Sequence, residues 1–304
     1  MPPASESLPK PFAALGGWSV DDHAAALASY ASTVDLLGAG WPRPDGQPAR
    51  RFFECNFAPR PQPQEALLTG YYEPELPGSL HPTPKFRYPL YAPPPSLKPG
   101  EAWHERGEIE DQNLLAGQEL VWLDSALEAF LAQVQGSVRI CLPDGTSLRF
   151  GYAAKNGHPY SSIGKELLRR GDLTKADCSV SAIRAWAQHN PGAVPNLLRI
   201  NRSFVFFRKL DLPAGTGPLG TMQRPVTPMR SLAVDPAHIP LGTPVWVAAG
   251  GINQLMIAQD TGSAIKGPGR GDVFFGTGAE AGERAGAFLA QGHITPLLPN
   301  GVPA

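Results

Sequence analysis

The chain has 304 residues, enough for one large or two ordinary domains, and its 42% hydrophobic content can fill a real core. Its 26 basic residues stand against 27 acidic ones, so no global field recruits nucleic acid or an anionic membrane. Proline (34) and glycine (33) together exceed a fifth of the chain, which fits short strands joined by many turns and makes a mainly β fold the first expectation.

The N-terminus, MPPASESLPKPFAALGG, shows no basic region followed by an apolar run, and no stretch reaches membrane-span length. The chain therefore reads as soluble, or as a mature form whose export signal has been removed. Next, SVDDHAAALASYASTVDLLGAGW reads as a helix capped by Ser19 with Asp22 and stopped by Gly38 and Gly40. EALLTGYYEPELPG reads as a strand entering a turn, with Tyr71 and Tyr72 before Glu73 and Pro74. Eight prolines between Leu76 and Gly100 predict no regular element there and mark a crossing between domains.

VWLDSALEAFLAQVQGSVRICLPDGTSLRFGYAAKNGHPY predicts a short helix and a hairpin, with Asp144-Gly145 in the tight turn. SSIGKELLRRG and SVSAIRAWAQHN predict helices ending at Gly171 and before Pro191, and RSFVFFRKL predicts a strand. The loose stretch PAGTGPLGTMQRPVTP marks a second crossing. SLAVDP, TPVWVAA, NQLMIAQD and GDVFFG then predict strands, and Thr277-Gly278-Ala279-Glu280 opens AEAGERAGAFLAQG as a helix with a capping box.

Cys55, Cys141 and Cys178 are odd in number, widely spaced and without a C-x-x-C pair, so they form neither a zinc site nor a disulfide framework. Buried thiols acting as small hydrophobes are expected, with one disulfide left open. The seven histidines include no HExxH, His158 reads as a turn residue, and G-x-S-x-G is absent. Gly164-Lys165 is followed by Glu166 where a Walker loop needs Ser or Thr, and Gly267-Pro-Gly269-Arg-Gly271 lacks dinucleotide spacing, so nucleotide binding is not expected. No metal or cofactor is expected.

Asp235, Asp260 and Asp272 sit in three strand-and-turn segments of the C-terminal part. Alone, an Asp beside Pro or Gly is ordinarily a turn residue. QDTG and GRGD, however, both put the acid at the edge of an apolar strand, which allows two carboxylates to face each other across a sheet. Close carboxylates cannot both ionise cheaply, and apolar Phe274 and Phe275 would push the same way. A rise of two pKa units costs the charged form about 2.7 kcal/mol and leaves protonated acid near neutrality, as glycosidic cleavage requires. Lys266 and Arg270 are expected to hold substrate or Asp260. Tyr71, Tyr72, Tyr160 and Trp246 could stack on sugars or sit in the core, and Tyr72 with Glu73 are the preferred groove-wall residues.

TGYYEPEL, GYAAKNGHPYSSIGKELL, NRSFVFF, RSLAVDPAHIPLGTPVW and QDTGSAIKGPGRGDVFFGTGAEAGERAG together resemble, from about Phe53 to Ala287, the membrane-bound lytic murein transglycosylase A family with its C-terminal three-aspartate module. The resemblance implies a double-psi β-barrel built from residues 1–75 and 212–304, a second β-barrel domain (76–211) inserted between them, and a glycan groove between the two. It implies cleavage of the β-1,4 bond between N-acetylmuramic acid and N-acetylglucosamine in peptidoglycan, leaving 1,6-anhydromuramoyl ends. By motif position Asp272 corresponds to the acid and Asp260 to its neighbour. Substrate contacts are expected from Tyr72, Glu73, Asp235, Lys266, Asn156 and Tyr160.

Peptidoglycan glycan strands are the expected partner, with cell-wall synthesis or division proteins as further candidates, and a monomer in the periplasm or cell envelope is expected. Ser263 replaces a glycine of the family pattern, and Gln135–Arg139 and Ala154–His158 depart from it in the inserted domain. No lipid-anchor cysteine accompanies the motifs. Two rivals remain at this point: a non-catalytic glycan-binding module of the double-psi type, and a hydrolase using water with Glu73 as second carboxylate.

Overall fold

The computed structural model describes residues 11–174, 179–213 and 215–301. Cys178 lies outside the described residues. In chain order the elements begin with α1 (His23–Ala31), α2 (Ala49–Asn56), β1 (Phe57–Pro59), β2 (Ala66–Glu73), β3 (Glu75–Ser79), β4 (Tyr88–Tyr91), α3 (Arg106–Asp111) and β5 (Glu119–Leu123). Then come α4 (Ala126–Gln135), β6 (Ser137–Cys141), β7 (Ser147–Lys155), α5 (Ile163–Arg170), α6 (Val180–His189), α7 (Val194–Arg199) and β8 (Val205–Leu210). The chain finishes with β9 (Ser231–Val234), β10 (Pro244–Ala249), β11 (Ile252–Asp260), β12 (Arg270–Thr277), α8 (Ala279–Ala287) and β13 (Leu289–Pro299). The fold is mainly β, in two compact units.

The first unit takes the residues up to Tyr72, Leu219–Gly276, and the stretch from Glu283 on. Its strands run β13-β10-β11-β9-β12-β2, and β2 pairs back onto β13, closing a six-stranded barrel; β1 adds to the far end of β13. The β9–β11 ladder is parallel, whereas β10–β11, β10–β13, β12–β9 and β13–β2 are antiparallel. All four residues of β9 and the run Leu255–Gln259 of β11 are buried, as strands covered on both faces must be.

The outer cover of β11 is α1. Its face of Ala26, Ser29 and Tyr30 follows helical spacing, and Ser29 donates to the buried Gln259. Trp18, Tyr30, Phe52, Phe53, Phe57 and Trp246 form the aromatic core of this unit. Trp246, one of the sugar-stacking candidates, is therefore a core residue. A buried, two-pronged Arg230–Asp21 ion pair, with Leu255 N–H also donating to Asp21, pins the N-terminal segment to the barrel.

The second unit takes Glu73–Pro218 with Thr277–Gly282. Its six-stranded sheet runs β4-β5-β3-β6-β7-β8 over a core of Leu90, Val121, Leu123, Val138, Ile140, Phe150 and Phe207. A helical layer packs Phe130, Leu131, Leu167, Leu197 and Leu198 together. Ser162 caps α5, and left-handed Gly171 ends it as the sequence predicts. The β6–β7 hairpin also matches, with Asp144 accepting from Thr146 and Gly145 at positive φ.

Several expectations are corrected. Asp22, not Ser19, caps the first helix, accepting from Ala25 N–H, and the helix ends at Ala31. The proline-rich stretch does hold strands: Pro77 sits in β3, and Pro89 lies in β4 at the sheet edge, where a missing N–H is tolerated. Thr277 gives its hydroxyl to Glu73, α8 stops at Ala287, and the remainder of the expected helix is the start of strand β13. Cys55 is exposed and Cys141 half-buried, both free, so neither is the buried hydrophobe expected.

Candidate active site

Ala233 of β9 is the register partner of Asp260 on one side and of Asp272 on the other. The two acids therefore flank one residue of the central strand, on backbones about 9.5 Å apart across two strand spacings. A bulge at Gln259, between the paired Ala258 and Asp260, ends β11 beside this position.

Asp272 is partly exposed. Burial pushes its carboxyl up to about 6, opposed by the Thr69 hydrogen bond and by nearby Arg270 and assisted by Asp260. Of the two causes expected from sequence, desolvation leads and mutual repulsion between the acids comes last. Thr69 Oγ1 donates to Asp272 Oδ1 at 2.6 Å. Arg270 does not hold Asp260: its Nη2 donates to Thr69 Oγ1 at 3.2 Å and its Nη1 to the carbonyls of Leu67 and Gly271.

Asp260 is the more heavily bonded acid. Its Oδ1 accepts from Thr221 N–H, Thr221 hydroxyl and Thr261 N–H, and its Oδ2 accepts from Tyr71 Oη at 3.0 Å. Burial nevertheless outweighs these donors and raises its pKa. Tyr71 is pushed far up by burial and by both acids, so it stays a neutral donor, and its ring packs at 5.1 Å from Phe274.

Two glycines make this closeness possible. A Cβ on Gly70, between Thr69 and Tyr71, would sit 2.6 Å from Phe275 Cε2 and 2.8 Å from Ala285 Cα. One on Gly220, just before Thr221, would sit 2.7 Å from the Gln259 carbonyl.

Asp235 lies apart from this pair. It accepts from Gly267 and Ala237 N–H, which together hold its carboxyl below the usual range despite burial, and Lys266 approaches it at 3.8 Å from an exposed position. Lys266 holds neither acid of the pair in these contacts.

In the second unit, Glu73 has no exposed surface. Its carboxylate faces Arg149 at 2.9 Å and Arg139 at 3.6 Å and accepts from Thr277, so a groove-wall position does not fit it. Tyr72 is also buried. Asn156 is fully buried and works as a structural clamp, donating to the His104 and Arg202 carbonyls and accepting from Phe204 N–H. Glu73 and Asn156 depart from the expected substrate contacts for one reason: buried polar groups must be satisfied internally. Tyr160 is half-buried, and His158 Nε2 bonds the Trp103 carbonyl at 2.7 Å. Among the described residues no group of His, Cys, Asp or Glu is gathered for a metal.

Sequence reasoning missed Thr69 and Thr221. Thr69 carried a signal, because it stands two residues from Tyr71 on one strand and so shares its face. The resulting arrangement is one partly exposed carboxyl, protonated in part near neutrality, beside a second acid locked by four donors.

Comparison with known proteins agrees with these motifs. A family model described as the MltA specific insert domain matches residues 67–208, and one described as the 3D domain matches residues 230–298. The chain is 38% identical over 246 residues to membrane-bound lytic murein transglycosylase A of Escherichia coli (strain K12), a match covering 76% of this chain and 65% of that protein, so it spans under two thirds of the relative's length. Among solved structures, a membrane-bound lytic murein transglycosylase from Agrobacterium tumefaciens superposes with a TM-score of 0.82 at 33% identity, covering 96% of this chain and 97% of that one. The Escherichia coli MltA structure with bound chitohexaose gives 0.73 at 31%, covering 98% and 92%. With both family models matched in order and the fold shared along nearly its whole length, the chain belongs to the membrane-bound lytic murein transglycosylase A family.

Proposed function

We propose that the protein is a peptidoglycan lytic transglycosylase that cleaves the β-1,4 bond between N-acetylmuramic acid and N-acetylglucosamine and leaves a 1,6-anhydromuramoyl end. The observation that carries this reading is Asp272, a partly exposed carboxyl that burial pushes up to about 6. Such an acid is present in both forms near neutrality, and the chemistry needs both. Asp272 gives its proton to the glycosidic oxygen as the bond to C1 breaks. The resulting carboxylate then takes the proton of the muramoyl C6 hydroxyl as O6 closes on C1. The proton count balances, water is not consumed, and one carboxyl serves twice.

Asp260, locked on four donors, would stabilise the positive charge that develops at C1, with Tyr71 fixing the carboxylate that does so. A water-using hydrolase would need a second free carboxylate. Glu73, its candidate, is enclosed by Arg149, Arg139 and Thr277, which weighs against that rival. Tyr160, Asp235 and Lys266 stay as proposed substrate contacts, and residues 1–75 with 212–304 as the proposed domain bearing the acids. Glycan strands are the proposed partner, supported by the relative whose structure holds chitohexaose. A cell-envelope location is proposed with that substrate, and no described helix is long and apolar enough to cross a membrane.

The test is mass spectrometry of soluble products from purified peptidoglycan, with wild type and Asp272→Asn side by side. Anhydromuropeptides from the wild type alone are expected. Water-added products would make the protein a hydrolase, and no products from either would make it a binding module.

A further inference from the structure

We propose that Thr69, locked by Arg270, is a positioning residue that decides which oxygen of Asp272 carries the catalytic proton, reserving Oδ1 as an acceptor and leaving the proton on Oδ2. This rests on the reading of Asp272 as the acid.

The argument is a count of donors and acceptors. A threonine hydroxyl has one hydrogen and two lone pairs, while a guanidinium has only hydrogens to give. Arg270 Nη2 donates to Thr69 Oγ1, so the hydroxyl hydrogen cannot return toward Arg270 and points at Asp272 Oδ1, 2.6 Å away. A proton on Oδ1 could go only to the second lone pair of Thr69 Oγ1, and the hydroxyl hydrogen would then lose its acceptor at 2.6 Å with none offered by Arg270 in its place. Oδ1 is therefore an acceptor in both charge states, and the transferable proton belongs to Oδ2.

The lock is held from behind. Arg270 Nη1 donates to the Leu67 carbonyl at 2.6 Å and the Gly271 carbonyl at 3.3 Å, so the guanidinium cannot swing away without losing both. β2 thus supplies both the Leu67 carbonyl that grips Arg270 and the hydroxyl that Arg270 orients. The charged and titratable groups facing Asp272 are Arg270 on its own strand, Tyr71 on β2 and Asp260 on β11; the intervening β9 presents Ala233. Among the described residues Thr69 is the group in direct hydrogen-bond contact with the Asp272 carboxyl, so removing it acts on the acid directly.

The experiment compares Thr69→Val, which keeps the branched shape and loses the donor, with Thr69→Ser, which keeps the donor. Two readouts are taken: the carbon-13 titration of the Asp272 carboxyl, assigned with Asp272→Asn, and the pH profile of kcat/KM for anhydro-product release. In Thr69→Val the carboxyl titration should move up by about one to two pH units, the loss of a hydrogen bond to a charged group. The alkaline limb of the profile should move with it, and kcat should fall about 10- to 100-fold. Thr69→Ser should restore all three.

Should Thr69→Val not fold, Arg270→Lys, which keeps the charge but loses the fork, should shift the titration in the same direction. A folded variant whose carboxyl titration and alkaline limb both stay in place overturns the proposal. A titration that moves while the activity profile does not would instead show that Asp272 is not the acid, and the proposal would fall with that reading.

Discussion

At the scale of single residues, Asp272 makes a prediction about stability as well as chemistry. Its carboxyl has an ordinary value of 3.8 and is raised to about 6 in the fold. Between those values the unfolded chain releases the proton and the folded one keeps it, so ionisation favours unfolding as the pH climbs. Well below 3.8 neither state is charged and there is no cost; well above pH 6 the cost is complete, about 3 kcal/mol. Asp272→Asn removes the charge and keeps the shape. It should therefore be inactive yet more stable than wild type at pH 8, by up to about 3 kcal/mol, with the gap closing at pH 4. Urea midpoints at the two pH values measure this; a variant less stable than wild type at pH 8 would make Asp272 a structural carboxylate. The pair of acids was legible in the sequence because both motifs put an Asp at the end of an apolar run. Their partners were not, since Thr69 lies 203 residues from Asp272 and Thr221 lies 39 from Asp260, and no local pattern states which distant strands will pair.

At the scale of elements, the site depends on how closely β2 lies on β12 and α8. Gly70 is where they touch, and a methyl there would meet the backbone of Ala285 as well as the Phe275 ring. Backbone cannot rotate out of the way as a side chain can, so Gly70→Ala must displace β2 itself. A loss of about 1–3 kcal/mol is expected from the overpacking. Because Thr69 and Tyr71 flank the glycine, each donor would also move off its acid, and kcat should drop about tenfold or more in the fraction that remains folded. Denaturation midpoints and kcat of the soluble protein test this; unchanged values of both would mean β2 has slack that the packing does not suggest. The sequence conveyed most strands of this barrel through apolar runs bounded by turns. It hid β13, because the alanine-rich helix before it blends into AFLAQG and because Gly292 and Pro296 look like breakers. It hid β4 for a related reason: a proline on a sheet edge reads locally like a proline in a loop.

At the scale of the whole molecule, two strands that carry the site run on into the second unit: β2 passes from Tyr71 to Glu73, and β12 from Asp272 to Thr277. There Thr277 donates to the Glu73 carboxylate and Gly278 N–H to the Glu73 carbonyl, so the two strand ends are fastened to each other. Arg149 completes the fastening, pairing with Glu73 while donating to the Thr216 and Gly217 carbonyls. Burial pushes Glu73 up, and Arg149 is the largest of the groups that oppose it, ahead of Thr277 and Arg139. Arg149→Met should leave Glu73 with Thr277 and the more distant Arg139, raise its pKa further, and destabilise the unit by about 3–5 kcal/mol at neutral pH. The sign of the pH dependence follows: the penalty is largest where an unpaired carboxylate would have to stay ionised, well above its ordinary 4.5, and shrinks as acid neutralises it. Hydrogen exchange followed by mass spectrometry should show faster exchange in β7 and β8 at pH 7.5, with the difference from wild type narrowing toward pH 5. Equal acceleration at both pH values would mean that the variant fails through lost packing, and no acceleration would mean that the strand ends are held by backbone pairing alone.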